Sequence, residues 1–291
     1  MAILLDDSTK LIVQGITGNA GKEHTRTMLE YGTRVVAGVR PGAGGETIYN
    51  VPVFNTVKEA VEKTGANASA LFVPGKAAKE AAFEAIDAGV KLLVIIPEYV
   101  PLHDALKIVE YAKSKGTKVI GPNTAGLIVP KYRCKIGFVP NRYFVEGNVG
   151  VISRSGTLMY ELVSRMTTAG FGQSTCVGVG GDPVIGTRFA DLLLEFEKDN
   201  DTKCVLMIGE VGGSQEEEAA KLIIEGKFTK PLIAYMAGSA APEGKRMGHA
   251  GAIISNGAGS MASKEAELRK ANARIARKPD EVLEFIRMVN R

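Results

Sequence analysis

A chain of 291 residues that is 45% hydrophobic and 23% charged, with a net charge of +4, has the size of two ordinary domains and the balance of a soluble globular protein. Acids and bases are mixed along it rather than blocked, and no apolar run approaches the roughly 20 residues of a membrane-spanning helix, so neither nucleic acid nor membrane is the expected partner. The modest positive excess instead suits polyanionic ligands.

Short apolar runs alternate with amphipathic stretches, the rhythm of strand–helix units around parallel sheets. In the first half, strands are predicted at 11–14, 34–37, 68–73, 92–96 and 118–120, with helices at 20–31, 56–64, 76–88 and 102–115. The rhythm breaks near Gly121-Pro122-Asn123-Thr124-Ala125-Gly126, and a stretch rich in Pro, Asn, Tyr and basic residues follows from Pro130 to Gly147. A second alternating series starts at Val149, with strands at 149–152, 175–178, 203–208 and 231–235. Its helices are predicted at 156–169, 186–198, 215–225, 261–271 and 279–288, and the basic cluster from Lys264 to Arg277 is expected to form a solvated helix face. Cys134, Cys176 and Cys204 are far apart, have no metal-ligand spacing and are expected to be buried thiols in a reducing compartment. Met1 to Leu5 is too short for a secretory leader, so a cytoplasmic location is expected.

Four motifs each follow a predicted strand. Gly15-Ile16-Thr17-Gly18-Asn19-Ala20-Gly21 opens a helix, where glycines permit a tight turn and free N–H groups can receive a pyrophosphate. Its G-x-x-G-x-x-G spacing is not the dinucleotide pattern, and the second strand ends at Gly38-Val39-Arg40 without an acid for a ribose diol. An arginine there suits an extra phosphate, such as the 2′-phosphate of NADP or the 3′-phosphate of CoA. Ser153-Arg154-Ser155-Gly156-Thr157 supplies an N-cap and a helix start open to an anion. Gly178-Val179-Gly180-Gly181-Asp182-Pro183 is a loop suited to close backbone contact, and Gly209-Glu210-Val211-Gly212-Gly213 places a carboxylate at a strand tip. His249, in Gly248-His249-Ala250-Gly251, lies between glycines downstream of Lys245 and Arg246. Imidazole is a good nucleophile at neutral pH; if Glu210 faces it, the carboxylate would orient the ring and stabilise imidazolium. His24 and His103 have no evident ligand partner and are given no role.

Together these segments resemble the α subunits of succinyl-CoA synthetase (succinate–CoA ligase), in order and over nearly the whole chain. The resemblance is carried by Gly15 to Gly21 with His24, Val51 to Ala60, Cys134 to Gly137, Ser153 to Leu158, Gly180 to Pro183, Gly209 to Gly213 and Gly244 to Ile254. It implies an α/β protein with a Rossmann-like CoA-binding domain (1–127), a connecting segment (128–147) and a flavodoxin-like ligase domain (148–291). CoA would be held by Thr17, Gly18, Asn19, Ala20, Arg40, Val73, Pro74, Ile96 and Glu98. His249 would carry the phosphoryl group with Glu210 as its partner, Ser155, Gly156 and Thr157 would cradle the phosphate, and Tyr160 would lie beside the acid. No metal site is implied on this chain. ATP or GTP with Mg²⁺ would sit mainly on a β subunit with an ATP-grasp domain, in an αβ or α₂β₂ assembly.

The chain departs from the family's usual pattern in several loops. A CoA-contacting lysine is replaced by Ala43, which Arg40 could offset, and Thr-Glu-Gly-Ile-Pro becomes Pro97-Glu98-Tyr99-Val100-Pro101. Asn-Cys-Pro-Gly becomes Asn123-Thr124-Ala125-Gly126, and Pro-Gly-His-Ile becomes Pro140-Asn141-Arg142-Tyr143. These changes keep citrate (a citryl-CoA synthetase small subunit) and malate open beside succinate. A non-catalytic CoA-binding regulator and an NADP-linked oxidoreductase are the alternatives from other classes.

Overall fold

The computed structural model of the chain describes residues 2–238, 248–254 and 259–290. Its first sheet is built from β1 (Leu11–Gln14), β2 (Val35–Val39), β3 (Thr47–Ile48), β4 (Val51–Phe54), β5 (Ala68–Leu71), β6 (Leu92–Ile95) and β7 (Lys118–Ile120). The order is β3-β4-β2-β1-β5-β6-β7, parallel throughout except for the short β3 at the edge. Without β3, the six parallel strands run 3-2-1-4-5-6, the Rossmann order, which reverses direction between β1 and β5. Every residue of β1, β5 and β6 is buried, as continuous apolar runs covered on both faces require. The connections contain α1 (Asn19–Tyr31), α2 (Val57–Thr64), α3 (Ala78–Asp87) and α4 (Leu102–Lys115).

The second sheet comprises β8 (Gly126–Val129), β9 (Cys134–Gly137), β10 (Glu146–Ser153), β11 (Gln173–Gly178), β12 (Cys204–Glu210), β13 (Leu232–Ala237) and β14 (Arg274–Ala276). Its order is β14-β13-β12-β10-β11-β8-β9. The five parallel strands β10 to β14 run 2-1-3-4-5, the flavodoxin order, with the switch point between β10 and β12. Their companions are α5 (Gly156–Thr168), α6 (Phe189–Lys198), α7 (Gln215–Ile224), α8 (Met261–Lys270) and α9 (Pro279–Val289).

The expected connector contributes structure of its own. β8 and β9 form an antiparallel hairpin on the edge of the second sheet, and β9 packs against α1 of the first half. Thr33 Oγ1 donates to the Lys135 carbonyl at 2.9 Å, and the Lys135 ammonium reaches the Val139 carbonyl at 2.8 Å. Lys135 is buried, and burial pushes its pKa down to about 8. A polar residue in mid-strand hid this strand from a pattern reading; its amine is satisfied by the nearby Val139 carbonyl and, at 3.3 Å, by Thr27 Oγ1 of α1 in the first half. All three cysteines are buried and free.

Candidate active site

In open parallel sheets, ligand sites form outside the carboxyl ends of the strands at the switch point. Here β10 ends at Ser153 and runs straight into Arg154 and Ser155, while the neighbouring β12 ends at Glu210, paired in register with Ala237 of β13. Three glycine-rich loops converge above these tips. Gly251 N–H donates to the Gly181 carbonyl at 3.0 Å, and Gly212 N–H donates to the Gly259 carbonyl at 2.8 Å. The approach depends on missing side chains: a Cβ on Gly181 would stand 2.6 Å from Cγ and Cδ2 of the His249 ring.

The close packing brings His249 and Glu210 together. His249 Nδ1 lies 2.8 Å from Oε2 and 3.0 Å from Oε1 of Glu210, so one ring nitrogen is held by a carboxylate and Nε2 is left for chemistry. The Glu210 hydrogen bond raises the His249 pKa above its ordinary value, against the opposing pull of burial and of Arg154. Glu210 is itself buried, with Arg154 Nε 3.2 Å from its Oε1 in an ion pair whose N–H is not aligned for a hydrogen bond. Arg154 Nη1 donates to the Gly212 carbonyl at 3.1 Å and thereby fixes the loop that follows Glu210. Lys245 and Arg246, the two cations upstream of His249, lie outside the described residues.

Behind Glu210 lies a layer that the sequence did not reveal. Glu216 and Lys264 are fully buried and paired at 2.5 Å, and Lys264 also donates to the Gly213 carbonyl at 3.0 Å and to Glu217 at 2.8 Å. Glu216 Oε1 in turn accepts the Glu210 backbone N–H at 3.2 Å. Lys264 therefore does not belong to the solvated face expected of its cluster; it points inward from α8 to neutralise a buried carboxylate and brace the 209–213 loop. Its neighbours Glu265, Arg269 and Lys270 do form exposed pairs. The signal available in sequence was the acidic first turn Glu216-Glu217-Glu218 of the helix expected at 215–225, three carboxylates of which at least one needs a counter-charge when buried.

Ser155 caps α5, its side chain accepting the Leu158 N–H at 3.3 Å, and Gly156 and Thr157 leave the helix start open. The Tyr160 hydroxyl is buried without a hydrogen-bond partner among the described residues, burial raises its pKa, and a Cβ on Gly156 would stand 3.4 Å from it. It therefore faces the α5 N-terminus with an unspent donor.

The residues expected to hold CoA gather at the carboxyl edge of the first sheet. Gly18 is the N-cap of α1 and has no side chain to occupy the helix N–H groups, while Thr17 to Ala20 are partly or fully exposed. The turn is shut tightly: a Cβ on Gly21 would stand 2.1 Å from the Gly15 carbonyl oxygen, and Gly15 itself has φ +80°. Arg40 is exposed just past β2, Val73 and Pro74 follow β5, and Ile96 and Glu98 follow β6. An uncapped helix start on the same sheet edge as an exposed arginine and small apolar residues fits a nucleotide with phosphates and a purine face. Ala43 is buried, in a loop whose Gly42 and Gly44 N–H groups donate to Asn55, so the position is closed to a lysine side chain reaching outward without local rearrangement.

Comparison with known proteins finds two families in this chain. Residues 6–99 match the CoA binding domain family and residues 152–274 the CoA-ligase family. Succinate–CoA ligase (ADP-forming) subunit alpha of Methanothermobacter thermautotrophicus is 52% identical over 285 residues, covering 98% of this chain and 96% of that one. Subunit alpha 2 of the same enzyme from Archaeoglobus fulgidus is 51% identical over 98% of this chain and 99% of its own. Among solved structures, ATP citrate lyase from Methanothrix soehngenii, in complex with citrate and coenzyme A, superposes with a TM-score of 0.88 at 26% identity; this chain is 99% covered and spans 50% of that one. With about half of its residues identical to these relatives along nearly its full length, the chain belongs to the family of succinate–CoA ligase alpha subunits.

Proposed function

We propose that the chain is the phosphohistidine-carrying subunit of an ADP- or GDP-forming ligase that joins succinate to CoA. The observation that carries this is the grip of Glu210 on His249 Nδ1, which leaves Nε2 as the nucleophile. Nε2 attacks the terminal phosphorus of a nucleoside triphosphate, an N–P bond forms, and the nucleoside diphosphate leaves. The imidazolium-like charge on phosphohistidine is matched by Glu210. A succinate carboxylate oxygen then takes the phosphoryl group, giving an acyl phosphate and returning the imidazole. The CoA thiolate attacks the acyl carbon, a C–S bond forms, and inorganic phosphate departs. The start of α5 at Ser155, Gly156 and Thr157 holds the phosphoryl oxygens through backbone N–H groups and the helix dipole. Tyr160 donates its free hydroxyl to the acid, and Thr17, Gly18, Asn19, Ala20, Arg40, Val73, Pro74, Ile96 and Glu98 hold the CoA nucleotide.

The triphosphate and Mg²⁺ belong to a partner β subunit with an ATP-grasp domain, in an αβ or α₂β₂ complex in the cytoplasm. The relatives' designation as alpha subunits supports such a partner. Citrate is the second reading, favoured by the 0.88 TM-score against the citrate- and CoA-bound lyase. The test is incubation of the co-expressed complex with γ-labelled ATP or GTP, followed by an acid panel of succinate, citrate and malate with CoA. Acid-labile label on this chain, absent in His249→Asn, is expected, together with turnover of succinate. Full turnover by His249→Asn refutes the mechanism, and turnover of citrate alone moves the substrate to the second reading.

A further inference from the structure

Between the two halves lies a cavity of roughly 320 Å³ that connects the cofactor edge of the first sheet to the His249 loop. One wall is Glu98, Tyr99, Val100 and Leu102; the far end is Gly248 and Ala250, which flank His249. Tyr99 is the anomaly. Its backbone sits at φ +61°, a region that a bulky aromatic residue rarely adopts, and 88% of the residue is exposed. The strain is imposed from both sides. Asn123 N–H donates to the Pro97 carbonyl at 3.0 Å, and Ala105 N–H donates to the Pro101 carbonyl at 2.9 Å as α4 begins. Gly75, where a Cβ would come within 2.7 Å of the Tyr99 carbonyl oxygen, presses on the loop from β5.

Strain of this kind costs on the order of 1–3 kcal/mol and persists where the surroundings over-determine it, commonly at ligand clamps. A glycine would relieve it. This chain instead carries a large ring there, with no burial to reward it, which points to a ligand that supplies the missing contact. Resting on the ligase reading above, we infer that Tyr99 packs on the thiol-bearing pantetheine arm of CoA as it runs from the nucleotide site through this cavity toward His249. The chemistry matches: the arm is a slender chain of methylenes and amides, the cavity offers the ring and the aliphatic Val100, Leu102 and Val184, and Asn123 stands there as an amide partner.

The test is calorimetric binding to the αβ complex of CoA, of pantetheine and of 3′,5′-ADP, which carries the nucleotide without the arm. Tyr99→Gly is expected to weaken CoA and pantetheine about five- to tenfold, the scale of a lost aromatic contact, and to leave 3′,5′-ADP unchanged. Tyr99→Phe, which keeps the ring, is expected to bind all three like the parent. The glycine also removes the left-handed strain, so the melting temperature is not expected to fall. Unchanged CoA affinity in Tyr99→Gly overturns the inference, as does an equal loss for 3′,5′-ADP. Dissociation of the complex with CoA affinity retained overturns it too, and assigns Tyr99 to the subunit contact. Failure of the parent complex to bind CoA refutes the ligase reading itself, and this inference with it.

Discussion

Gly181→Ala isolates the packing that aims His249, the proposed nucleophile. Gly181 is not in the left-handed region, so alanine brings no backbone strain, and the effect is that of one methyl group. That methyl would lie 2.6 Å from His249 Cγ and Cδ2 and 3.1 Å from its Cβ, where ordinary contact begins at 3.4 Å. The ring must therefore retreat by about 1 Å, because optimal carbon–carbon separation is roughly 3.5–4.0 Å. The His249 side chain is 27% exposed and can swing toward solvent, so the fold absorbs the change. The contacts at 2.8 and 3.0 Å to Glu210 cannot survive it. A displacement of about 1 Å at a reacting centre costs about 10²-fold in rate. Rapid-quench labelling of His249 by γ-labelled nucleotide should fall by that factor with the melting temperature nearly unchanged, and the imidazole pKa should drop toward its ordinary value. Labelling within threefold of the parent in a folded Gly181→Ala protein would refute the claim that Gly181 positions the ring.

Glu210→Gln removes the principal cause of the raised His249 pKa. Phosphorylation needs neutral Nε2, so the parent loses labelling as pH falls through the raised pKa; the variant's acid limb should move to lower pH and its plateau drop about 10²-fold. Because the folded pKa is raised, the stability this pair contributes is full below the unfolded imidazole pKa and is lost as pH rises through the folded one, a trend that Glu210→Gln should flatten in urea titrations. Lys264→Met leaves Glu216 buried without its counter-ion and should destabilise the protein by about 3–5 kcal/mol, whereas adding Glu216→Gln should recover more than half of that loss in denaturant melts. Gly21→Ala forces a methyl against the Gly15 carbonyl and should cost about 1–3 kcal/mol of stability while weakening CoA binding measured by calorimetry.

Much of the architecture was legible in one dimension. β1, β5 and β6 are short apolar runs buried on both faces, and α4 was bounded by Pro101 before it and Gly116 after it, the start and stop signals of a helix. What escaped were elements whose stability is not local. The β3–β4 hairpin turns through Tyr49 and Asn50 at positive φ without a glycine, β9 carries a buried lysine, and β14 is three residues between charged helices. Each is a strand because a neighbouring strand offers it a ladder.

The site divides along the same line. Glycine spacing after strands, a cap residue before α5 and a histidine between glycines are local chemistry, and they made these segments candidates for phosphate binding from sequence alone. Whether Glu210 faced His249 was undetermined there, since 39 residues separate them and nothing in spacing sets their distance. The 2-1-3-4-5 order of the second sheet settles it: β10 and β12 become neighbours at the switch point, their tips meet, and residues 248–254, downstream of β13, lie against both, with His249 on Glu210 and Gly251 beside Arg154. Of the buried charges behind them, Lys264 was expected on a solvated face, and its pairing with Glu216 could not be read until that topology removed both from water. Sequence determined which groups could do the chemistry; the tertiary fold decided which of them touch, because only chain crossing brings distant strand ends within hydrogen-bond reach.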